Sequence, residues 1–536
     1  MKRKVIAIGL SLGLILNSLS VSAAEYITVD QQKENQEEVS SQPEEVVNEK
    51  SKGVVTTSEK TASEDVMEVS TQSEAVRVSG KCGDNITFKL TQDGVLTLSG
   101  SGPMLTIEYD WKYYEPICGW GQYISSIKKI VIEEGITSIS QYSFYDCENL
   151  TEVSIPSSIK AIGWEAFHWC HNVNKVMIEG LESWCDINFD ERNANPLQFG
   201  ADLYVDGEKK TQITIPDGIT EIKPYTFARA WTNDESKVAI TSIHLPDTVT
   251  SIGTEAFEYN HLQSINIPDA VMMIGKEAFA GNDFSTIEIP ENVETIGNGT
   301  FYKCKNLQKI KIPDATSNLG SILFGSCTKL VSVELPKGIE TITEAMFSDC
   351  TSLTQFSVPE TVKVVEDSAF AKCSNLRNIE MSNQIHTIGN YAFNGCSSLK
   401  EMNLPDELYS IGDSAFMDCI SLTEISIPNK VTGVGKEAFR QCESLSKITM
   451  PDTITEIGAS AFSGCHMLEQ FKIPDSIEAI QDYTFYGCTN LSSVTFSKNL
   501  TTIGAYAFQN CSVLVNVVIP DNVTDIGKQT WSYVKI

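Results

Sequence analysis

The feature that most constrains the fold is a phenylalanine that recurs every 22 or 23 residues along most of the chain. A fixed period of this length is typical of proteins built from stacked structural repeats. From Phe301 onward every step is 23 residues. The recurring positions are Phe144, Phe167, Phe227, Phe257, Phe279, Phe301, Phe324, Phe347, Phe370, Phe393, Phe416, Phe439, Phe462, Phe485 and Phe508, and then Trp531.

One full unit is LTEISIPNKVTGVGKEAFRQCES, residues 422–444. Ile425 and Ile427 alternate with polar residues, which predicts a short strand, and Pro428 ends it because proline cannot donate to a strand ladder. Gly435 permits a bend, after which we expect a short helical turn to carry Phe439 inward. A single unit cannot bury its apolar side, whereas stacked units can. The sequence therefore predicts a repeat solenoid of mostly short parallel β-strands with short helical turns.

Twelve of the 15 cysteines stand three residues after the repeated phenylalanine. Equivalent Cβ atoms in a parallel stack lie about 4.8 Å apart, whereas a disulfide needs converging Cβ atoms near about 3.8 Å. Asn260 and Asn282 occupy the same position in two units. We therefore expect a structural ladder of mostly free thiols, and leave open a bridge between Cys82 and Cys118. The ladder in the regular part comprises Cys304, Cys327, Cys350, Cys373, Cys396, Cys419, Cys442, Cys465, Cys488 and Cys511.

The N-terminal residues predict export. Residues 1–24 combine a basic start, an apolar stretch and small residues for cleavage, as a secretory signal peptide does, and no later apolar run is long enough to span a membrane. Residues 25–78 read as a disordered acidic linker. The formal net charge of −30 disfavours nucleic acid as a partner. The predicted location is secreted or cell surface.

A β-rich N-terminal cap is predicted over residues 79–126, ahead of a solenoid over 127–536. In CGDNITFKLTQDGVLTLSGSGPM, residues 82–104, apolar residues alternate on both sides of Asp93-Gly94, which predicts a β-hairpin. We expect this hairpin to cover the open end of the stack, which would otherwise expose a sheet edge.

The units MPDTITEIGASAFSGCHML, residues 450–468, and IPDSIEAIQDYTFYGCTNL, residues 473–491, resemble the BspA-like leucine-rich repeats of bacterial surface proteins. The resemblance extends over about residues 79–536. It implies a leucine-rich-repeat solenoid and a role in adhesion or in binding host proteins or other cells, and it carries no catalytic residues.

The repeat pattern is interrupted by an insertion at about residues 181–210 and by a longer loop at 229–239. This irregular region carries Trp164, Trp169, Trp184 and Trp231. Tryptophans outside the repeat pattern are candidate interface anchors, and from them we select Trp184 and Trp231. The alternative is that Trp184 packs down the insertion, and that Trp164, close by, covers a neighbouring turn.

A second candidate binding surface is the row of polar residues between the two apolar positions of successive strands. In a solenoid this row lines one face, where repeat proteins usually bind, although a simply solvated face would look the same. The residues selected from this row are His244, Glu288, Lys311, Glu334, Glu380 and Lys472.

We find no sequence motif for catalysis, phosphate binding or a cofactor. HWCH at residues 168–171 resembles a metal cluster, but Cys170 is a ladder position and no second pair stands at metal-site spacing. The chain is thus predicted not to be an enzyme and to need no cofactor. An enzyme would require a constellation within the insertion and loop, residues 181–240.

The sequence thus favours an exported leucine-rich-repeat binding scaffold, a bacterial cell-surface adhesin that contacts host or bacterial proteins. The alternative is a secreted structural or matrix-forming repeat protein without a discrete ligand.

Overall fold

The computed structural model describes residues 75–110, 115–116, 118–229 and 240–534. The predicted signal peptide and nearly all of the predicted linker lie outside these residues. Within the described part of the chain, no helix combines the length and the apolar character needed to cross a membrane.

Three antiparallel strands form the N-terminal cap, namely β1 (Val76–Lys81), β2 (Ile86–Thr91) and β3 (Val95–Gly100). The hairpin of β2 and β3 confirms the prediction. β3 then pairs in parallel with the first repeat strand, Lys129–Ile132, so the cap continues directly into the stack. β1 was not predicted, and it begins at Val76, inside the segment that we assigned to the linker of residues 25–78.

Each coil of the stack contributes to two rows of short parallel strands. The first strand row comprises Lys129–Ile132, Glu152–Ile155, Lys175–Ile178, Asp202–Val205, Gln212–Thr214, Ser242–His244, Ser264–Asn266, Lys309–Lys311, Ser332–Glu334, Gln355–Ser357, Asn378–Glu380, Glu424–Ser426, Lys447–Thr449, Gln470–Lys472 and Ser493–Thr495. Single parallel bridges at Thr286 and Glu401 continue this row where a coil has no strand.

The second strand row follows the turn after the first strand, and this turn contains a proline in most coils. It comprises Ile136–Ile139, Ala161–Ile162, Asn188–Phe189, Glu221–Ile222, Ser251–Ile252, Met273–Ile274, Thr295–Ile296, Asn318–Leu319, Thr341–Ile342, Val364–Val365, Thr387–Ile388, Ser410–Ile411, Gly433–Val434, Glu456–Ile457, Ala479–Ile480, Thr502–Ile503 and Asp525–Ile526. The remaining elements are the strands Gly102–Pro103, Tyr109–Asp110, Glu115–Pro116 and Glu208–Lys210, the helix α1 (Leu181–Cys185), and the 3₁₀ turns Gly121–Ser126 and Arg192–Ala194.

The repeated phenylalanines form the centre of the core. From Phe227 to Trp531, consecutive rings stack nearly parallel with centroids 4.9–6.0 Å apart. Trp120 extends the stack toward the cap, because its ring lies 6.1 Å from Phe144 and 5.1 Å from Phe88 of β2. The structure confirms a parallel-strand solenoid with a shared core.

The segment around each phenylalanine is a third hydrogen-bonded side of the coil rather than a helix. In one unit, Ser368 and Lys372 flank Phe370 with φ of 56° and 59°. The backbone N–H groups of these three residues donate to carbonyls of the next coil over 2.6–2.8 Å. Left-handed residues on both sides prevent an α-helix from forming, and they direct the N–H groups toward the neighbouring coil.

The glycine before this turn is required by close approach between coils, not by the bend that we predicted for it. Gly435 does not adopt a positive φ. A Cβ atom there would lie 2.4 Å from the carbonyl oxygen of Gly412 in the preceding coil, which is too close for any side chain. Glycine at this station therefore lets two backbones pack against each other.

The predicted insertion, residues 181–210, is itself a coil of the stack. Asn188–Phe189 pairs in parallel with Ala161–Ile162, and Asp202–Val205 pairs in parallel with Lys175–Ile178. After this coil both strand rows break, and new sheets begin in the next coil. The insertion therefore positions the following coils rather than hanging from the solenoid.

Candidate interaction surfaces

The row of polar strand residues lies on the surface. We call His244, Glu288, Lys311, Glu334, Glu380 and Lys472 the strand-face row, and all six side chains are exposed. In Lys309–Lys311 the middle residue, Ile310, is buried, so Lys311 points outward by strand alternation. Lys311 is in register with Glu334 of the next coil. The stacking thus places one side chain of the row on each coil at a regular spacing.

The strand-face row carries both signs of charge and is held only by exposed contacts. Lys311 lies 2.6 Å from Glu291, and this hydrogen bond raises the pKa of Lys311. Lys472 lies 3.4 Å from Asp452, and Glu380 accepts the hydroxyl of Ser357. Exposed pairs of this kind contribute little to folding, so the row can exchange them for contacts with a partner.

Trp184 is not part of any surface, and its prediction as an interface anchor is wrong. Its side chain is 1% exposed, its ring packs against Phe189 at 5.3 Å, and its Nε1 donates to the carbonyl of Thr226 over 2.9 Å. Trp184 joins the inserted coil to the next one, which is the packing alternative considered above. Trp231, the other predicted anchor, lies outside the described residues.

The HWCH segment does not assemble a metal site. His168 pairs with Glu165 at 2.7 Å, and the ring of His171 packs against Phe199 at 4.4 Å. The Sγ of Cys170 is buried and donates to the carbonyl of Phe144. In the part of the chain that the structure describes, no group of three or more histidine, cysteine or carboxylate side chains could hold a metal ion.

The cysteine ladder is buried and faces backbone. In regular coils the Sγ donates to the carbonyl of the phenylalanine 26 residues earlier, as from Cys396 to Phe370 over 3.2 Å. Asn260 and Asn282 donate to the corresponding carbonyls through their amides. Burial raises the pKa of the thiols, to about 12 for Cys304. These side chains satisfy the backbone and are not available as nucleophiles or ligands.

A second surface brings together aromatic rings of two adjacent coils near the cap. We call Tyr142, Tyr145, Trp164, His168 and Trp169 the aromatic patch. Trp164 packs edge-to-face on Tyr142 at 5.3 Å, and Trp169 lies 5.4 Å from Tyr145 and 5.2 Å from His168. The two tryptophans are 41% and 46% exposed, whereas both tyrosines are buried beneath them.

Both tryptophans are among the candidate anchors from the sequence, but the patch that they form with the tyrosines was not predicted. The alternative, that Trp164 covers a neighbouring turn, holds in part: Trp164 contacts Tyr142 but keeps an exposed surface. The signal that could have found the patch is the register: Tyr142 and Tyr145 flank Phe144 as Glu165 and His168 flank Phe167 one unit later. Aromatic residues at neighbouring stations of successive units must meet in a parallel stack.

One arginine and three glutamates form a cluster next to the inserted coil. Arg192 lies 2.6 Å from Glu255, 2.7 Å from Glu258 and 3.9 Å from Glu277. Glu258 is 2% exposed, and burial raises its pKa to about 9, opposed by Arg192 and reinforced by the other two carboxylates. A single guanidinium faces three carboxylates here, so burial and the neighbouring carboxylates favour the protonated form of Glu258.

The sequence matches a family described as "BspA type Leucine rich repeat region (6 copies)". The matched residues are 122–232, 234–330, 317–432 and 409–536. No curated protein matches the chain significantly.

Solved structures of bacterial repeat proteins are similar to this chain. A leucine-rich repeat protein from Bacteroides ovatus is 23% identical, with 83% of this chain and 98% of that chain covered and a TM-score of 0.42. One from Eubacterium ventriosum is 20% identical, with 64% and 94% covered and a TM-score of 0.39. A leucine rich cell surface protein from Faecalibacterium prausnitzii is 22% identical, with 59% and 92% covered and a TM-score of 0.36.

Proposed function

The chain belongs to the BspA-type leucine-rich repeat family, and from this premise we propose that it is an exported binding scaffold acting as a bacterial cell-surface adhesin. Its ligands are proteins or other molecules on host or bacterial cells. Export rests on the signal-peptide pattern of residues 1–24, and placement away from the cell envelope rests on the acidic composition of residues 25–78.

The observation that carries this proposal is the in-register strand-face row. Regular stacking repeats an exposed polar position from coil to coil, as at His244 beside Asn266 and at Lys311 beside Glu334. Many weak contacts made on one rigid scaffold combine into strong binding, because each further contact is made at high effective concentration. The mixed charges of the row favour a partner surface that also carries both signs.

The test is binding of purified residues 25–536, at physiological salt, to immobilised matrix glycoproteins and to bacterial cells. The variant Glu288→Lys, Glu334→Lys, Glu380→Lys reverses three exposed charges of the strand-face row. We expect saturable binding by the wild type and about tenfold weaker binding by this variant, since charge reversal at an interface weakens association.

The matched control is Asp269→Lys, Glu360→Lys, Asp521→Lys. These three residues follow the proline of their units, are exposed, and change the net charge by the same amount. The control should bind as the wild type does. Equal losses in both triple variants would show a general charge effect and contradict a site on the strand-face row. An absence of saturable binding to every surface would overturn the adhesin proposal in favour of a structural repeat protein.

A further inference from the structure

The aromatic patch presents two large indole rings to solvent, those of Trp164 and Trp169. Trp164 and Trp169 stand on one coil and rest on Tyr142 and Tyr145 of the coil before it. Tryptophan is the side chain most enriched at the energetic centres of protein interfaces, where a large ring can bury its area at low entropic cost.

Carboxylates lie on the segments that carry these rings and on the adjacent coil. Asp190 accepts the backbone N–H of Trp164 over 3.1 Å, and Glu191 accepts that of Glu165 over 3.0 Å. Asp146 and Glu148 come from the tyrosine-bearing coil, and Glu148 raises the pKa of Asp146, after the larger effect of burial.

No lysine or arginine of the described residues forms an ion pair with Asp146, Glu148, Asp190 or Glu191. Glu165 contacts a histidine, His168, at 2.7 Å rather than a lysine or arginine. Among the described residues, no lysine or arginine side chain therefore neutralises the negative charge of these four carboxylates.

The equivalent positions in another pair of coils show which kind of side chain packs beside the tyrosine. Lys528 lies three residues before Trp531, as Trp164 lies three residues before Phe167. Its Nζ sits 5.5 Å from the ring centroid of Tyr506 in the preceding coil. At the patch the corresponding neighbour of the tyrosine is Trp164, whose exposed indole offers a stronger cation-binding face than tyrosine.

We propose that the aromatic patch is a docking surface for lysine- or arginine-bearing segments of a partner protein. The side-chain cations lie over the indoles of Trp164 and Trp169, and the flanking carboxylates pair with them and orient the segment. Charge complementarity selects this partner, because a cation gains from both the rings and the carboxylates. This inference rests on the proposed binding function and gives it a second, chemically defined site.

The test uses residues 25–536 labelled with 5-fluorotryptophan, whose seven fluorine signals are assigned by single Trp→Phe substitutions. The probe is a 12-residue glycine- and serine-rich peptide with four arginines, titrated at physiological salt. Its control is the same peptide with citrulline, which is neutral and nearly the same shape as arginine. We expect the arginine peptide alone to give saturable shifts, at the signals of Trp164 and Trp169.

Two variants separate this site from general attraction to an acidic protein. Trp164→Ala, Trp169→Ala should weaken binding of the arginine peptide about tenfold, whereas Tyr391→Ala, Tyr409→Ala removes two equally exposed rings elsewhere and should leave it unchanged. Glu148→Gln, Asp190→Asn should weaken binding about threefold, and Glu360→Gln, Asp521→Asn should not.

Arginine-peptide binding that survives loss of both tryptophans would overturn the inference. So would shifts of the same two signals by a neutral trisaccharide but not by the arginine peptide, which would identify a sugar site. The cell-binding assay distinguishes the two proposals. If the arginine peptide does not bind, while cell binding is lost in the strand-face variant and not in its control, the docking proposal is rejected and the adhesin proposal stands.

Discussion

The side-chain oxygen of Asn282 accepts the backbone N–H of Leu262, 2.9 Å away in the preceding coil. In a cysteine coil the corresponding leucine, Leu399, donates instead to the carbonyl of Cys396 in its own coil. The coils that carry asparagine at this station are 22 residues long, one shorter than the cysteine coils. The asparagine thus replaces backbone hydrogen bonds that the missing residue would have supplied.

Asn282→Ala should therefore destabilise the protein more than Cys396→Ala. The Asn282 amide also donates to the carbonyls of Phe257 and Phe279, so its loss leaves several buried backbone groups without a partner. We expect about 3 kcal/mol for Asn282→Ala and about 1 kcal/mol for Cys396→Ala, measured by urea unfolding. Equal costs would mean that the station is only a packing position.

The phenylalanine stack should behave as a chain of nearest-neighbour contacts. Phe416 lies between Phe393 and Phe439, with centroids 5.4 and 5.3 Å away. Phe416→Ala leaves a cavity and should cost about 3–5 kcal/mol, with loss of hydrogen-exchange protection concentrated in the adjacent coils. The exposed Tyr409→Ala serves as control and should cost little. Uniform loss of protection along the solenoid would instead indicate global cooperativity.

The ladder thiols should resist alkylation in the folded protein. Burial raises the pKa of Cys511 to about 12 and that of Cys396 in the same direction, so the reactive thiolate is scarce at neutral pH. Mass spectrometry after iodoacetamide treatment should show slow labelling of these residues in buffer and rapid labelling in denaturant. Rapid native labelling of Cys396 would show that the coils open readily.

Stability should fall as pH rises because of Glu258. Its pKa is raised by burial to about 9, whereas an unfolded glutamate titrates near about 4.3. Between these values the folded protein holds a proton that the unfolded chain does not, so the free energy of unfolding decreases with pH across this window. Glu258→Gln should flatten that decrease in urea unfolding measured from pH 6 to about 9.5.

The exposed Glu360→Gln is the matched control for this pH series and should retain the wild-type profile. A Glu258→Gln profile parallel to that of the wild type would show that Glu258 is ionised in the folded protein and paired with Arg192.

The regular coils could be predicted from the sequence because every contact in them recurs. One unit shows alternation at Ile425 and Ile427, a proline that ends the strand, and the repeated phenylalanine. Because the units stack in register, a prediction for one unit applies to all regular units. The β2–β3 hairpin followed from alternation around Asp93-Gly94. The turn geometry did not, because left-handed residues such as Ser368 and Lys372 carry no distinctive side chain.

The candidate surfaces were also only partly predictable from the sequence. The exposure of the strand-face row followed from strand alternation, whereas the fate of each tryptophan did not. Trp184 is buried by a contact to Thr226, 42 residues later, and Trp164 is half exposed because the coil before it offers Tyr142.

The sequence by itself determined the period, the parallel stack, the phenylalanine core and the capping hairpin, since these depend on local patterns repeated at fixed spacing. Only the tertiary structure decided that residues 181–210 form a coil of the stack, that Trp184 joins this coil to the next one, and that the aromatic patch exists. The physical reason is that these features depend on pairs of residues brought together once, by the register of particular coils.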